Sequence, residues 1–303
     1  MKLLKPILRP FQTRLISHLL NNFSYWQSRG VHAVPVHFYQ PIPDTRTLDP
    51  ELWNRVADLP GLNLNEDSQL QLLDTFVSNY KHEYEALPRE KTGEPYQYFV
   101  NNGAFESVDG EILYCMIRHF RPRRIFEIGS GNSTYLSAQA ALKNEAPCEL
   151  TAFEPYPNDV LQQGFPGLTG LHRVQAQEIP LEKFAELDRN DILFIDSSHV
   201  LKIGSDVQYL YLEVIPRLRP GVVIHIHDIF LPAEYPRQWV MQQQTFWNEQ
   251  YLLQAFLAFN DSFEVHWAGS YMHLKHPESL EAAFSSYDRR TRWPGSFWLS
   301  RKF

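Results

Sequence analysis

The chain has 303 residues, of which 44% are hydrophobic and 21% charged. That is too apolar and too sparsely charged for a disordered chain, so a packed core is expected. The formal net charge of −7 excludes a nucleic-acid binder held by global charge. No run of about 18 apolar residues offers a transmembrane helix.

The charge is unevenly spread. Lys2, Lys5, Arg9, Arg14 and Arg29 precede the first acidic residue, Asp44, so residues 1–43 carry +5 and the rest −12. Within them Leu3, Leu4, Ile7, Leu8, Phe11, Leu15, Ile16, Leu19 and Leu20 recur at helical spacing and predict a basic amphipathic helix. No small-residue cleavage site marks it as a signal peptide. Such a helix packs on its own domain or on a second subunit, giving a homodimer, or makes a peripheral contact with an anionic membrane through residues 1–20. The Pro-rich stretch Val34–Asp44 excludes regular helix. Leu70, Leu72, Leu73, Phe76 and Tyr80 form one helical run, and Ile112, Leu113, Met116, Ile117 and Phe120 another.

From Arg123 the character changes. Short apolar runs at Arg124–Ile128, Leu150–Phe153, His172–Gln175, Ile192–Ile195 and Val222–Ile226 alternate with helical patterns at about 133–145, 158–163 and 204–218. Alternation of this kind predicts a parallel sheet with helices on both faces. Phe263–Trp267 and Ser296–Leu299 read as closing strands joined by a loop rich in Arg and Tyr. Cys115 and Cys148 are too few for a disulfide framework and fit a reducing, cytoplasmic setting.

The first strand runs into Glu127-Ile128-Gly129-Ser130-Gly131-Asn132-Ser133-Thr134 and a helix. Two glycines one residue apart let the backbone turn sharply and approach a ligand closely. The helix start behind them offers free N–H groups. Gly129, Ser130, Gly131, Asn132 and Ser133 are therefore candidate cofactor contacts. The second strand ends in Phe153-Glu154, which brings a carboxylate beside the turn for a pair of ribose hydroxyls. A dinucleotide site would want a third glycine at position 134, which is Thr, and no acid before the first glycine. Glu127 would repel a phosphate and attract an ammonium, so its charge favours S-adenosylmethionine over NAD.

With Glu127-x-Gly129-x-Gly131 and Glu154 in view, the chain resembles the class I S-adenosylmethionine-dependent methyltransferases. More closely it resembles the group called methyltransferase family 24, through Phe38-Tyr39-Gln40-Pro41-Ile42-Pro43-Asp44, Asp191–Ser205, His225–Pro236 and Trp247-Asn248-Glu249-Gln250-Tyr251. The resemblance implies an α/β fold with a Rossmann-like, seven-stranded, mostly parallel sheet whose last strand is antiparallel. It implies a methyltransferase domain over 105–303 and a helical and extended N-terminal extension over 1–104. It also implies that Gln177, after the third strand, contacts the adenine.

The fourth and fifth strands end in Asp196-Ser197-Ser198-His199 and His225-Ile226-His227-Asp228. Adjacent strands bring Asp196, His199, His227 and Asp228 together at the carboxyl edge, where ligands bind in open α/β sheets. Such donors suit a divalent cation. The pattern resembles the metal-dependent O-methyltransferases of the catechol and macrocin types. By that match Asp196, His227 and Asp228 hold the metal, Asp196 also faces the methyl donor, and His199 is the general base. His227 stands where those enzymes carry an acid, and an imidazole there admits Mn²⁺, Fe²⁺ or Zn²⁺ beside Mg²⁺. His225, on the same strand face, is either a further ligand or a packed ring.

The function expected is metal-assisted O-methylation of a small-molecule acceptor, a sugar or a natural product. A cation lowers the pKa of a hydroxyl beside it, and a neutral imidazole accepts the proton. Two alternatives stand beside it. His199, His225, His227 and Asp228 contain the elements of an iron hydroxylase, and the domain could also be a non-catalytic scaffold.

Overall fold

The computed structural model describes residues 5–303, with side chains from Thr13 onward. The chain forms two compact units, the first ending at Leu52 and the second running Trp53–Phe303. In the first lie helices α1 (Lys5–Asn21) and α2 (Phe23–Gln27), followed by irregular chain through the prolines. The expected helix is present from Lys5, and Leu15, Ile16 and Leu20 are exposed on it. Leu3 and Leu4, and the side chains of Ile7, Leu8 and Phe11, lie outside the described residues.

The second unit opens with α3 (Glu66–Tyr84) and α4 (Asp109–Phe120). The alternating region follows as β1 (Arg124–Ile128), α5 (Asn132–Ala141), β2 (Glu149–Phe153), α6 (Asp159–Gln163), β3 (Leu168–His172), α7 (Leu181–Phe184), β4 (Ile192–Ile195), α8 (Asp206–Tyr209) and β5 (Val223–Ile226). It closes with α9 (Arg237–Met241), α10 (Glu249–Leu257), β6 (Phe263–Ala268), α11 (Gly269–Lys275), α12 (Pro277–Ala283) and β7 (Phe297–Arg301). The seven strands lie in the order β3-β2-β1-β4-β5-β7-β6, all parallel except β7, which runs against both neighbours. This is the Rossmann-like sheet that the sequence led us to expect.

The central strands are buried and mostly apolar because both faces are covered. Along β4, Ile192 and Phe194 join a core with Phe76, Ile112, Ile117 and Leu136, while Leu193 and Ile195 join the opposite one with Phe126, Leu210, Val214 and Leu253. Asp191 pins the strand starts together: its buried carboxylate accepts the backbone N–H groups of Arg123 (3.0 Å), Arg124 (2.8 Å) and Asp188 (2.9 Å). The order reverses between β1 and β4, so their carboxyl ends frame the crevice where ligands bind in this architecture.

Three expectations need correction. The third strand is Leu168–His172, not His172–Gln175. It is an edge strand, only partly buried and bulged against β2, so its own apolar signal is weak. The helix expected over 204–218 is broken: α8 passes into a wider π turn (Leu210–Val214) and a 3₁₀ turn (Ile215–Arg217) before Leu218. The stretch between the last two strands is not a loop, since α11 and α12 occupy most of it.

Candidate active site

The turn after β1 is built around one close approach. Gly129 has φ +81°, and a Cβ there would lie 1.8 Å from the Asp196 carbonyl oxygen. The strand ends are tied across this point, Asp196 N donating to Ile128 O at 2.9 Å and Gly129 N to Phe153 O at 3.0 Å. Gly131 differs: its backbone is extended and nothing lies within 4 Å of a Cβ there. Its N–H donates to Thr134 Oγ1 at 3.0 Å, closing the start of α5, where Asn132 and Ser133 stand.

Around this turn lies a cleft of about 500 Å³, lined by Gly129, Glu154, Tyr156, Gln177, Asp196, Lys202 and Asp206 among others. Glu154 accepts Ser130 N (3.1 Å) on one oxygen and Tyr156 N (2.7 Å) on the other. Each carboxylate oxygen keeps a further lone pair for a ligand hydroxyl. Glu127 is wholly buried; Oε1 accepts Ser133 Oγ at 2.6 Å, and Oε2 has no partner. Burial pushes its carboxyl up to about 8 against the Ser133 and Thr134 hydroxyls, and the charges of Asp196 and Glu154 push the same way. Ser130 Oγ and Gln177 Oε1 are likewise buried and unpartnered. Buried polar atoms are nearly always paired, and these three stand without a partner near the cleft. An ammonium at Glu127 Oε2 and an amine at Gln177 Oε1 would each find a free acceptor, and Glu154 keeps lone pairs for hydroxyls.

At the ends of β4 and β5 the carboxylates of Asp196 and Asp228 meet the imidazole of His199, with ligand-capable atoms within 4.8 Å of one another. His199 Nε2 lies 3.2 Å from Asp196 Oδ1 and 3.6 Å from Asp228 Oδ2, and Nδ1 lies 2.9 Å from Glu249 Oε2. Burial alone would lower His199; bonds to Asp196 and Glu249 outweigh it and hold the ring well above 6.5. Burial would raise Asp196, but the imidazoles of His227 and His199 hold its carboxyl at about 2. The oxygen and nitrogen donors of this cluster fit a hard or borderline divalent cation.

Of the four residues expected here, His227 is outside the group whose ligand atoms all lie within 4.8 Å of one another. Its Nε2 is 3.7 Å from Asp228 Oδ1, its ring packs on Phe105 at 4.8 Å, and the imidazole gathered with the two carboxylates is that of His199. His225 is a packed ring: it stacks on Phe194 at 3.9 Å, bonds Ser296 Oγ at 3.1 Å, and burial keeps it neutral. The sequence reading missed Glu249, which is wholly buried against His199. It lies in Trp247–Tyr251, a segment that carried the family resemblance without being given a role.

The sequence profile of a methyltransferase domain matches residues 126–229, a stretch that holds every cofactor, metal and base candidate named above. An uncharacterized protein of Archaeoglobus fulgidus is 30% identical over 166 residues, covering 52% of this chain and 75% of its own length. The chain belongs to this methyltransferase family. It is an S-adenosylmethionine-dependent methyltransferase of class I. Among solved structures, an SAH-bound methyltransferase of Podospora anserina matches at 14% identity and a TM-score of 0.41, over 78% of this chain and 88% of that one. The plantazolicin methyltransferase, in complex with a desmethyl plantazolicin analogue and SAH, matches at 13% identity and 0.43, over 78% and 97%. Among the described residues of this methyltransferase, no helix is long and apolar enough to cross a membrane.

Proposed function

We propose that this methyltransferase transfers the methyl group of S-adenosylmethionine to a hydroxyl of a small molecule, sugar or natural product with help from a divalent cation, and that residues 105–303 form the catalytic domain. The observation that carries the reading is the meeting of Asp196, His199 and Asp228 at the edge of the cofactor cleft. Glu127, Gly129, Ser130, Gly131, Asn132, Ser133, Glu154 and Gln177 bind the donor. Asp196 and Asp228 hold the cation, and His227, with its Nε2 3.7 Å from Asp228 Oδ1, stands near enough to join them. When bound, the cation stabilises negative charge on the acceptor oxygen. The charge of Asp196 favours the protonated His199 ring; with that charge taken up by a cation, Nε2 would be free to take the hydroxyl proton. The oxygen forms its bond to the methyl carbon as the carbon–sulfur bond breaks, and the electron pair stays on sulfur, leaving SAH. Two carboxylates with one imidazole invert the two-histidine, one-carboxylate set of iron hydroxylases, which weighs against that alternative.

Calorimetric titration of SAH tests the donor site. Glu154→Ala should weaken binding by about 10- to 100-fold, since two charge-assisted hydrogen bonds are lost. Equal affinity in the variant would sink the assignment. The same titration tests Glu127. Its carboxyl, at about 8 in the free protein, holds a proton at pH 7. An ammonium at Oε2 favours the ionised form, so binding expels a proton and tightens as pH rises from 6 towards 8, by up to about tenfold per unit. Heats measured at pH 7 in buffers of different ionisation enthalpy count that proton; a count of zero would contradict the contact.

A further inference from the structure

We propose that Glu249 is the positioning residue of His199: its buried carboxylate takes the Nδ1 hydrogen, fixes the ring, and leaves Nε2 as the atom aimed at Asp196, Asp228 and the acceptor. The proposal deepens the reading of His199 as the base and rests on it.

Four contacts converge on His199 from one tripeptide at the start of α10. The Trp247 ring packs on the His199 ring with centroids 4.3 Å apart. The N–H groups of Asn248 and Glu249 both donate to the His199 carbonyl, each at 3.2 Å. Asn248 Oδ1 accepts Leu201 N at 2.6 Å, and Glu249 Oε2 reaches His199 Nδ1 at 2.9 Å. His199 itself has φ +58°, a left-handed conformation unusual for a residue with a side chain. Such strain persists only where the surroundings over-determine it, and this tripeptide supplies the determination.

The choice of residue is also telling. A carboxylate with no exposure is costly unless paired, and Glu249 Oε2 meets His199 Nδ1 at 2.9 Å. A residue needed only to start a helix would sit at lower cost as a neutral amide. What the carboxylate contributes beyond that is a fixed acceptor for one ring nitrogen, and so a fixed role for the other. Carboxylates that orient a functional imidazole through its second nitrogen act in this way.

The test reads the His199 ring N–H by ¹⁵N-resolved NMR of the full-length protein, with His199→Asn identifying the signal. No metal or acceptor is needed, so the result is separate from any failure of the donor or cation assignments. Wild type should show a slowly exchanging Nδ1–H. Glu249→Gln, whose amide oxygen still accepts, should keep it. Glu249→Asp keeps the charge but loses the reach, and exchange should accelerate about 10- to 100-fold, as expected for loss of a hydrogen bond to a charged group. SAH affinity should stay within about twofold in both, since Glu249 does not line the cofactor cleft. A purely structural role for the charge predicts the reverse order, with Asp rescuing and Gln failing. That order, or an unchanged signal in Glu249→Asp, overturns the proposal.

Discussion

Gly129→Ala is expected to abolish donor binding and to destabilise the protein by roughly 2–5 kcal/mol. Two effects add. Alanine resists φ +81°, and its Cβ would lie 1.8 Å from the Asp196 carbonyl oxygen. That oxygen is backbone at the end of a central strand whose N–H is bonded to Ile128 O, so it has no flexible end to swing away. The ends of β1 and β4 must therefore part, and the cleft between them changes shape. Denaturant titration and SAH calorimetry read the two effects. Gly131→Ala is the control, because its backbone is extended and its Cβ would meet open space; it should shift stability by less than about 0.5 kcal/mol. A Gly129→Ala protein with wild-type midpoint and SAH affinity would refute the close-approach argument.

The two glycines look alike in the sequence, and only the fold separates them. Periodicity made the parallel strands legible because buried central strands are continuous apolar runs, as in Ile192–Ile195. It misjudged β3 because an edge strand with one covered face carries little of that signal. Asp196, His199 and Asp228 were legible because a polar cluster after an apolar run marks the carboxyl edge of a parallel sheet. Which imidazole would lie with both carboxylates was not. His227 and His199 are both imidazoles near the right edge, and which one turns towards the carboxylates depends on a loop held from fifty residues away. No local pattern encodes a contact of that separation. Glu249 was hidden for the same reason, although the Trp247–Tyr251 segment already stood out.

Asp196→Asn is expected to have the larger chemical effect, because this side chain serves both halves of the site. It lines the cofactor cleft and also stands 3.2 Å from His199 Nε2 within the carboxylate pair. Its neighbours hold it ionised down to about pH 2. The charge is thus present throughout the physiological range, and the asparagine variant removes it with almost no change in shape. Removing even an outer partner of a metal ligand costs about 10- to 100-fold in affinity. Loss of a proposed ligand should therefore weaken Mn²⁺ binding by at least about 100-fold, which is about 2.7 kcal/mol at 1.36 kcal/mol per decade. Methyl transfer should fall by about 10²- to 10⁴-fold, the range attached to a misplaced or uncharged acid–base partner. Asp228→Asn separates the two roles. Asp228 does not line the cofactor cleft, so that variant should lose Mn²⁺ to a similar degree while binding SAH as wild type does. Titration of free Mn²⁺ by electron paramagnetic resonance, beside SAH calorimetry, reads both variants in the absence of any acceptor. If each binds Mn²⁺ with wild-type affinity, the cluster is no cation site, and His199 between its carboxylates is then a buried ion pair.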